Sequence, residues 1–69
     1  MKTLSGKEFA KILEKAGWKL VRVQGSHHIY IKENRRERIS LPIHGNKNLK
    51  FGLFKYLLKI AGLNESDLD

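Results

Sequence analysis

Cysteine is absent from this 69-residue chain. That excludes disulfides and thiolate metal sites, and it fits a reducing compartment such as the cytoplasm. Long apolar runs are absent too: the longest are two or three residues, so nothing here crosses a membrane. The opening MKTLSGKEF has no apolar segment of the kind a secretory signal needs. There is no repeat or low-complexity tract, and with a single proline no proline-rich linker. Motifs that announce an enzyme are missing as well: no P-loop, no HExxH, no Gly-x-Ser-x-Gly, no cluster of acids. The length allows one domain, 1–69, with one small core. Such a chain buries only ~60% of the surface its unfolded form exposes.

Acidic residues are scarce. There are 7 Asp+Glu against 14 Lys+Arg, a net charge of +7. Residues 64–69 (NESDLD) hold three of the acids and no base, reading as an acidic tail. Residues 1–63 therefore carry all 14 bases against four acids, a charge of +10. A small domain with that field attracts polyanions, nucleic acid first and an anionic membrane surface second. The plain alternative is a basic, soluble protein with no polyanionic partner.

Hydrophobic periodicity predicts helix, three strands, helix. Ser5 and Glu8 have capping-box spacing, and Leu4 and Phe9 occupy the staple positions. Phe9, Ile12, Leu13 and Ala16 then recur at helical spacing over about Gly6–Ala16, with Gly17 as the stop. Trp18–Gln24, His27–Glu33 and Arg38–Ile43 read as strands. Gly25-Ser26 is the first turn and Asn34-Arg35-Arg36 the second. Simple alternation puts His27, Ile29 and Ile31 on one face of the middle strand, expected to be buried, and His28, Tyr30 and Lys32 on the wet face. Pro42 marks a strand end or edge. After a loop at His44–Asn48, the second helix spans about Lys50–Ala61 with a wide apolar stripe. Gly62 and Leu63 have the pattern of a Schellman cap. Both helices should pack on one face of a three-stranded antiparallel sheet, an α+β αβββα fold that resembles the double-stranded-RNA-binding domain. Such a fold hosts many functions.

Chemistry in this chain falls to His27, His28 and His44. Neighbouring strand residues point to opposite faces, so His27 and His28 cannot easily clasp one ion, and no metal site is expected. An imidazole needs no cofactor to move protons near neutral pH. RNA suits so small a site, because its 2′-hydroxyl is an internal nucleophile beside the phosphate, whereas DNA has none. The alternative is that both histidines are strand residues that merely hydrogen-bond. Lys19, Arg22, Lys32, Arg36 and Arg38, on or between the strands, suit phosphate contacts, with Ser26 in the turn beside the histidines. Lys47 and Lys50 flank the start of the second helix, where backbone N–H groups add donors. The Arg35–Arg38 run reads equally as a solvated hairpin tip, and Trp18 as core.

The segments Leu13-Glu14-Lys15-Ala16-Gly17-Trp18, Gly25-Ser26-His27-His28-Ile29-Tyr30, Leu41-Pro42-Ile43-His44, Leu49-Lys50 and Ile60-Ala61-Gly62-Leu63 together resemble the HicA toxins, also called YcfA-like proteins. The resemblance spans about residues 4–63. It implies the αβββα fold, a ribosome-independent mRNA endonuclease activity, and a HicB antitoxin partner that covers the active site. The toxin would be a monomer alone and a hetero-oligomer with its antitoxin. In most members the catalytic histidine directly follows Gly-Ser, which corresponds to His27. Some carry Gly-Ser-x-His, which corresponds to His28. One segment departs from the pattern: Lys50-Phe51-Gly52-Leu53 stands where many relatives have Lys-Pro-Gly-Thr. That removes a preset φ at the helix start and adds apolar surface.

Three readings compete on these residues. The first is an RNA endonuclease with a histidine as general acid or base. The second is a non-catalytic RNA-binding module of the same fold, needing the cations and no histidine. The third is a basic protein that docks an acidic partner.

Overall fold

A computed structural model describes residues 3–68. The element order is α1 (Gly6–Lys15), β1 (Lys19–Gln24), β2 (His27–Ile31), β3 (Ile39–Pro42) and α2 (Phe51–Ala61), followed by a 3-10 turn at Glu65–Leu68. The strands form one antiparallel sheet in the order β1-β2-β3. This is the expected α+β, αβββα architecture, with shorter elements than the pattern predicted. Trp18, Lys32, Glu33, Arg38, Ile43 and Lys50 fall just outside them.

α1 starts where its capping signals put it. The Glu8 N–H donates to Ser5 Oγ at 3.2 Å, and the Ser5 N–H donates to Glu8 Oε1 at 3.0 Å. Two of the helix's orphan donors region are thereby satisfied by one reciprocal pair. Phe9 and Leu13, one turn apart, are fully buried. α2 ends in the expected Schellman arrangement. Gly62 adopts φ 71°, and the Leu63 N–H returns to the Leu58 carbonyl at 3.0 Å. Leu63 packs on the core as the apolar partner of that cap.

The core joins Phe9 and Leu13 of α1, Tyr30, Ile39 and Leu41 of the sheet, and Phe54, Leu57, Leu58 and Ala61 of α2, together with Trp18 and Leu49. Phe9 and Phe54 meet edge to face at 5.9 Å between ring centroids, which locks the helices to each other. Burial of this cluster is the main favourable term in so small a fold. β1 takes little part. All six of its residues are exposed, and Val21 is the extra residue of a bulge between Leu20 and Arg22. A bulge on an edge strand twists it away from unwanted pairing.

Both helix starts meet at one end of the molecule. The Leu49 N–H donates to the Leu4 carbonyl at 2.7 Å, Thr3 Oγ1 donates to the Leu49 carbonyl, and Ser5 bridges to Asn48. Gly6 lies so close to the chain after β3 that a Cβ on it would stand 2.5 Å from the Pro42 carbonyl oxygen. Only glycine permits that approach.

At the opposite end, within the acidic segment 64–69, Glu65–Leu68 forms a turn, with Asp67 accepting from the Asn64 N–H at 2.7 Å and Leu68 packed on the core. Asp69 lies outside the described residues. The four residues of the Arg35–Arg38 run are all exposed, as a solvated tip requires, yet Arg35 also makes fixed contacts. Arg35 donates to the Ile60 carbonyl at 2.7 Å and stands over the Trp18 ring at 5.9 Å. A cation at the carboxyl end of a helix meets both the free carbonyls and the negative end of the helix dipole. One side chain thus ties the β2–β3 connection to α2 and covers the buried indole.

Replacing Arg35 by Ala removes the carbonyl hydrogen bond and the ring contact together. It is expected to cost about 1–2 kcal/mol, whereas Arg36→Ala should stay within about 0.5 kcal/mol. Urea titration of both variants checks this; equal midpoints would contradict the tie.

Candidate functional site

The middle strand presents the two histidines, and their faces are the reverse of the simple expectation. Tyr30 is buried, 2% exposed, while Ile31 is 36% exposed. Register explains the inversion. Tyr30 pairs with Ile39 and His28 with Leu41, both fully buried β3 residues under the helices. Strand alternation then turns His27, Ile29 and Ile31 to the outer, uncovered face. The expectation that Ile29 and Ile31 are buried and Tyr30 is wet fails because the larger aromatic ring is the residue of β2 that joins the core. Burial raises the Tyr30 phenol pKa above its ordinary value, and the nearby Glu14 carboxylate raises it further.

His27 is exposed and His28 half-buried. The His27 ring Nδ1 lies 3.2 Å from Ser40 Oγ, across the β2–β3 pair on the outer face. That contact orients the ring and leaves Nε2 as the nitrogen not engaged by Ser40. Sequence reading missed Ser40. Its signal was present in the Ile39-Ser40-Leu41 alternation, which puts a hydroxyl on the wet side opposite the histidine strand.

The turn before His27 is a two-residue hairpin loop, since Gln24 pairs with His27. Gly25 has φ 58°, and Ser26 does not share its positive φ, the pattern of a type II′ turn, which wants glycine at its first central position. Ser26 is half-buried and its carbonyl accepts from the Ile43 N–H at 2.8 Å. His27 itself pairs with Pro42. The histidine turn is therefore stitched to the chain leaving β3, and through it to both helix starts.

The cations predicted as phosphate contacts divide into groups. Arg22 pairs with Ile29 and Lys19 with Ile31, on the same outer face as His27. Arg22 is a diagonal neighbour of His27, about 7–8 Å away, within reach of a long side chain. Lys19 lies four positions along the strand, roughly 13 Å from His27. Lys47 and Lys50 are exposed at the end where His27 and the helix starts meet. Arg36 and Arg38 are exposed on the β2–β3 connection, beyond the far end of the sheet from His27. Lys32 is not part of the cluster. It continues the Tyr30 side of the strand, and its Cε lies 3.4 Å from where a Cβ on Gly17 would stand.

At the start of α2, Lys50 is the N-cap residue with extended backbone and no side-chain cap. Phe51, in place of proline, is 49% exposed with Lys55 Nζ over its ring at 5.5 Å. Among the described residues, no group of three or more His, Asp or Glu side chains could hold a metal ion. No described helix is long and apolar enough to cross a membrane.

Residues 6–63 match the family model described as the HicA toxin of bacterial toxin-antitoxin. No curated protein matches the chain. Since the matched span is most of its length, the chain belongs to the HicA toxin family, and a toxin of such a system implies an antitoxin partner.

The inverted faces can be checked through Tyr30. The folded state holds the phenol proton more tightly than the unfolded chain. The stabilisation is complete below about pH 10 and is lost as pH rises through the raised folded value. Parent stability should therefore fall relative to Tyr30→Phe between pH 9 and about 11. A constant difference in denaturation midpoint over that range would contradict the burial.

Proposed function

We propose, from membership of the HicA toxin family and from the position of His27, that the chain is an endonuclease that cuts mRNA without the ribosome and is neutralised by a HicB-type antitoxin. The observation that carries this reading is an exposed imidazole at the head of the middle strand, on an uncovered face with Arg22 and Lys19, its Nδ1 engaged by Ser40. His28 shares the helix-facing side with Leu41 and Tyr30, which suits packing better than contact with a polymer.

The reaction follows from that placement. Nε2 of His27 takes the proton of a ribose 2′-hydroxyl, and the freed oxygen attacks the adjacent phosphorus. The P–O5′ bond breaks, and the departing oxygen takes up a proton from the imidazolium or from water. The products carry a 2′,3′-cyclic phosphate and a 5′-hydroxyl. Nothing in these steps requires a cofactor. Arg22 neutralises the phosphate that gains charge as the oxygen attacks. Lys19 continues the backbone track along the sheet, and Lys47 and Lys50 receive the strand at the other side of His27. Gly25 and Ser26 hold the imidazole at the turn. Arg36 and Arg38 lie further along and add general attraction for the polymer; Lys32, on the Tyr30 side of the strand, adds to it from outside the His27 face.

The antitoxin would work by covering this face. Ile31, 36% exposed, lies on it opposite Lys19, and Arg22 stands opposite Ile29, so a partner surface mixing apolar and acidic groups is complementary to it. The uncomplexed toxin is then a cytoplasmic monomer, and the complex a hetero-oligomer.

His27→Ala should lower single-turnover cleavage of an RNA oligonucleotide by about 10²–10⁴-fold with an unchanged circular dichroism spectrum. His28→Ala should reduce stability while its folded fraction still cuts. A single 2′-deoxy substitution at the cut position should stop cleavage there. Equal rates for His27→Ala and parent would sink the reading. Intact RNA together with a salt-sensitive gel shift would leave a silent RNA-binding module.

A further inference from the structure

A cavity of about 220 Å³ opens beside the His27 turn, between the end of β3 and the start of α2. We propose that it receives one unstacked nucleobase of the bound RNA and so sets the base preference next to the cut. The proposal rests on the nuclease reading for where the cut lies; it adds a specificity site to it.

The floor of the cavity is apolar, made by Pro42, Leu49 and Leu53. Its rim is polar and cationic, with His44, Asn48, Lys47 and Lys50. Each half matches one part of a nucleotide. A base offers a flat apolar ring that stacks on such a floor or on an imidazole, and an edge of donors and acceptors. The Asn48 side chain carries one acceptor and two donors on a single amide, the set that reads a base edge in pairs. Lys47 and Lys50 stand where the phosphates on either side of that base must pass. The cavity is smaller than the roughly 300–1,000 Å³ of sites for drug-sized ligands, which scales it to a single ring system.

Position completes the case. Pro42 is at once a wall of the cavity and the cross-strand partner of His27. Ser26 and Ile43 are joined by a 2.8 Å backbone hydrogen bond. A nucleotide whose phosphate sits at His27 therefore has the cavity as the next surface along the strand. The walls are also well held. Leu49 is pinned to Leu4 and Thr3, and Asn48 bridges to Ser5, so the backbone carrying the base-reading amide is fixed before RNA arrives. Unpaired, splayed bases can enter such a pocket and stacked duplex cannot, which makes single-stranded RNA the substrate class.

The test uses the full chain and a randomised single-stranded RNA, with product ends read by sequencing. The parent should favour particular bases at one position beside the cut. His44→Ala and Asn48→Ala should each flatten that preference by about tenfold, whereas Lys50→Ala should lower cutting of all sequences alike. A parent without preference, or a preference unchanged in both His44→Ala and Asn48→Ala, overturns the proposal. A second arm removes catalysis from the readout. Fully 2′-deoxy trinucleotides differing in one base are titrated into His27→Ala protein, followed by the Asn48 side-chain amide and Leu53 methyl resonances. Base-dependent shifts support the pocket, even if the parent cuts no RNA and the nuclease reading falls. Shifts independent of the base, or none, overturn the pocket even if cleavage by His27 stands.

Discussion

The burial of Tyr30 against Ile39 decides the geometry of everything that follows it in the molecule. A strand has period two, so seating one side chain under the helices directs every second residue inward and the rest outward. Tyr30 inward sends His28 inward with it and His27 outward. A slip of one residue would exchange the histidines, turning His28 outward in place of His27 and moving the exposed imidazole one position away from the Gly25-Ser26 turn. The site is thus a consequence of core packing in β2, where a single aromatic ring takes the buried face and two isoleucines are left on the other.

A second constraint gathers the surroundings of His27 into one end of the fold. Gly6 allows α1 to begin against the Pro42 carbonyl, and Leu49 ties the start of α2 to the segment before α1. The histidine turn joins them through Ser26 and Ile43. Positive side chains and the positive ends of two helices therefore converge where the His27 imidazole stands. At the far end Arg35 does the opposite kind of work, fastening the β2–β3 connection to the end of α2 and screening Trp18. The His27 end is left open and the distal end is closed, within one small core.

Much of this was legible in the residues. The capping box at Ser5 and Glu8, the Gly25-Ser26 turn, the Schellman stop at Gly62 and the αβββα order all carry local signals, and local chemistry suffices to produce them. The resemblance to the HicA toxins, carried by segments that include the Gly25-Ser26 turn and the Gly62 stop, agrees with the family match over residues 6–63. What local reading missed depends on contacts distant in sequence. Alternation in β2 fixes which residues share a face but not which face is covered; that choice belongs to Ile39 and Leu41 on the neighbouring strand. Ser40 became visible as a partner of His27 only once that register was known. Lys32 and Arg35 illustrate the same limit from either side. Both are basic residues near a turn, yet one folds back over Gly17 and the other, though exposed, fastens the connection to α2.

The central claim is that the outward imidazole of β2, and not its neighbour, meets RNA. Long-range nitrogen–proton spectra of the histidine rings, recorded while a non-cleavable 2′-deoxy oligonucleotide is added to the unmodified protein, test it most directly. The account predicts a saturable shift centred on Nε2 of His27, with His28 nearly unmoved. A saturable response at His28 with a silent His27 would contradict it.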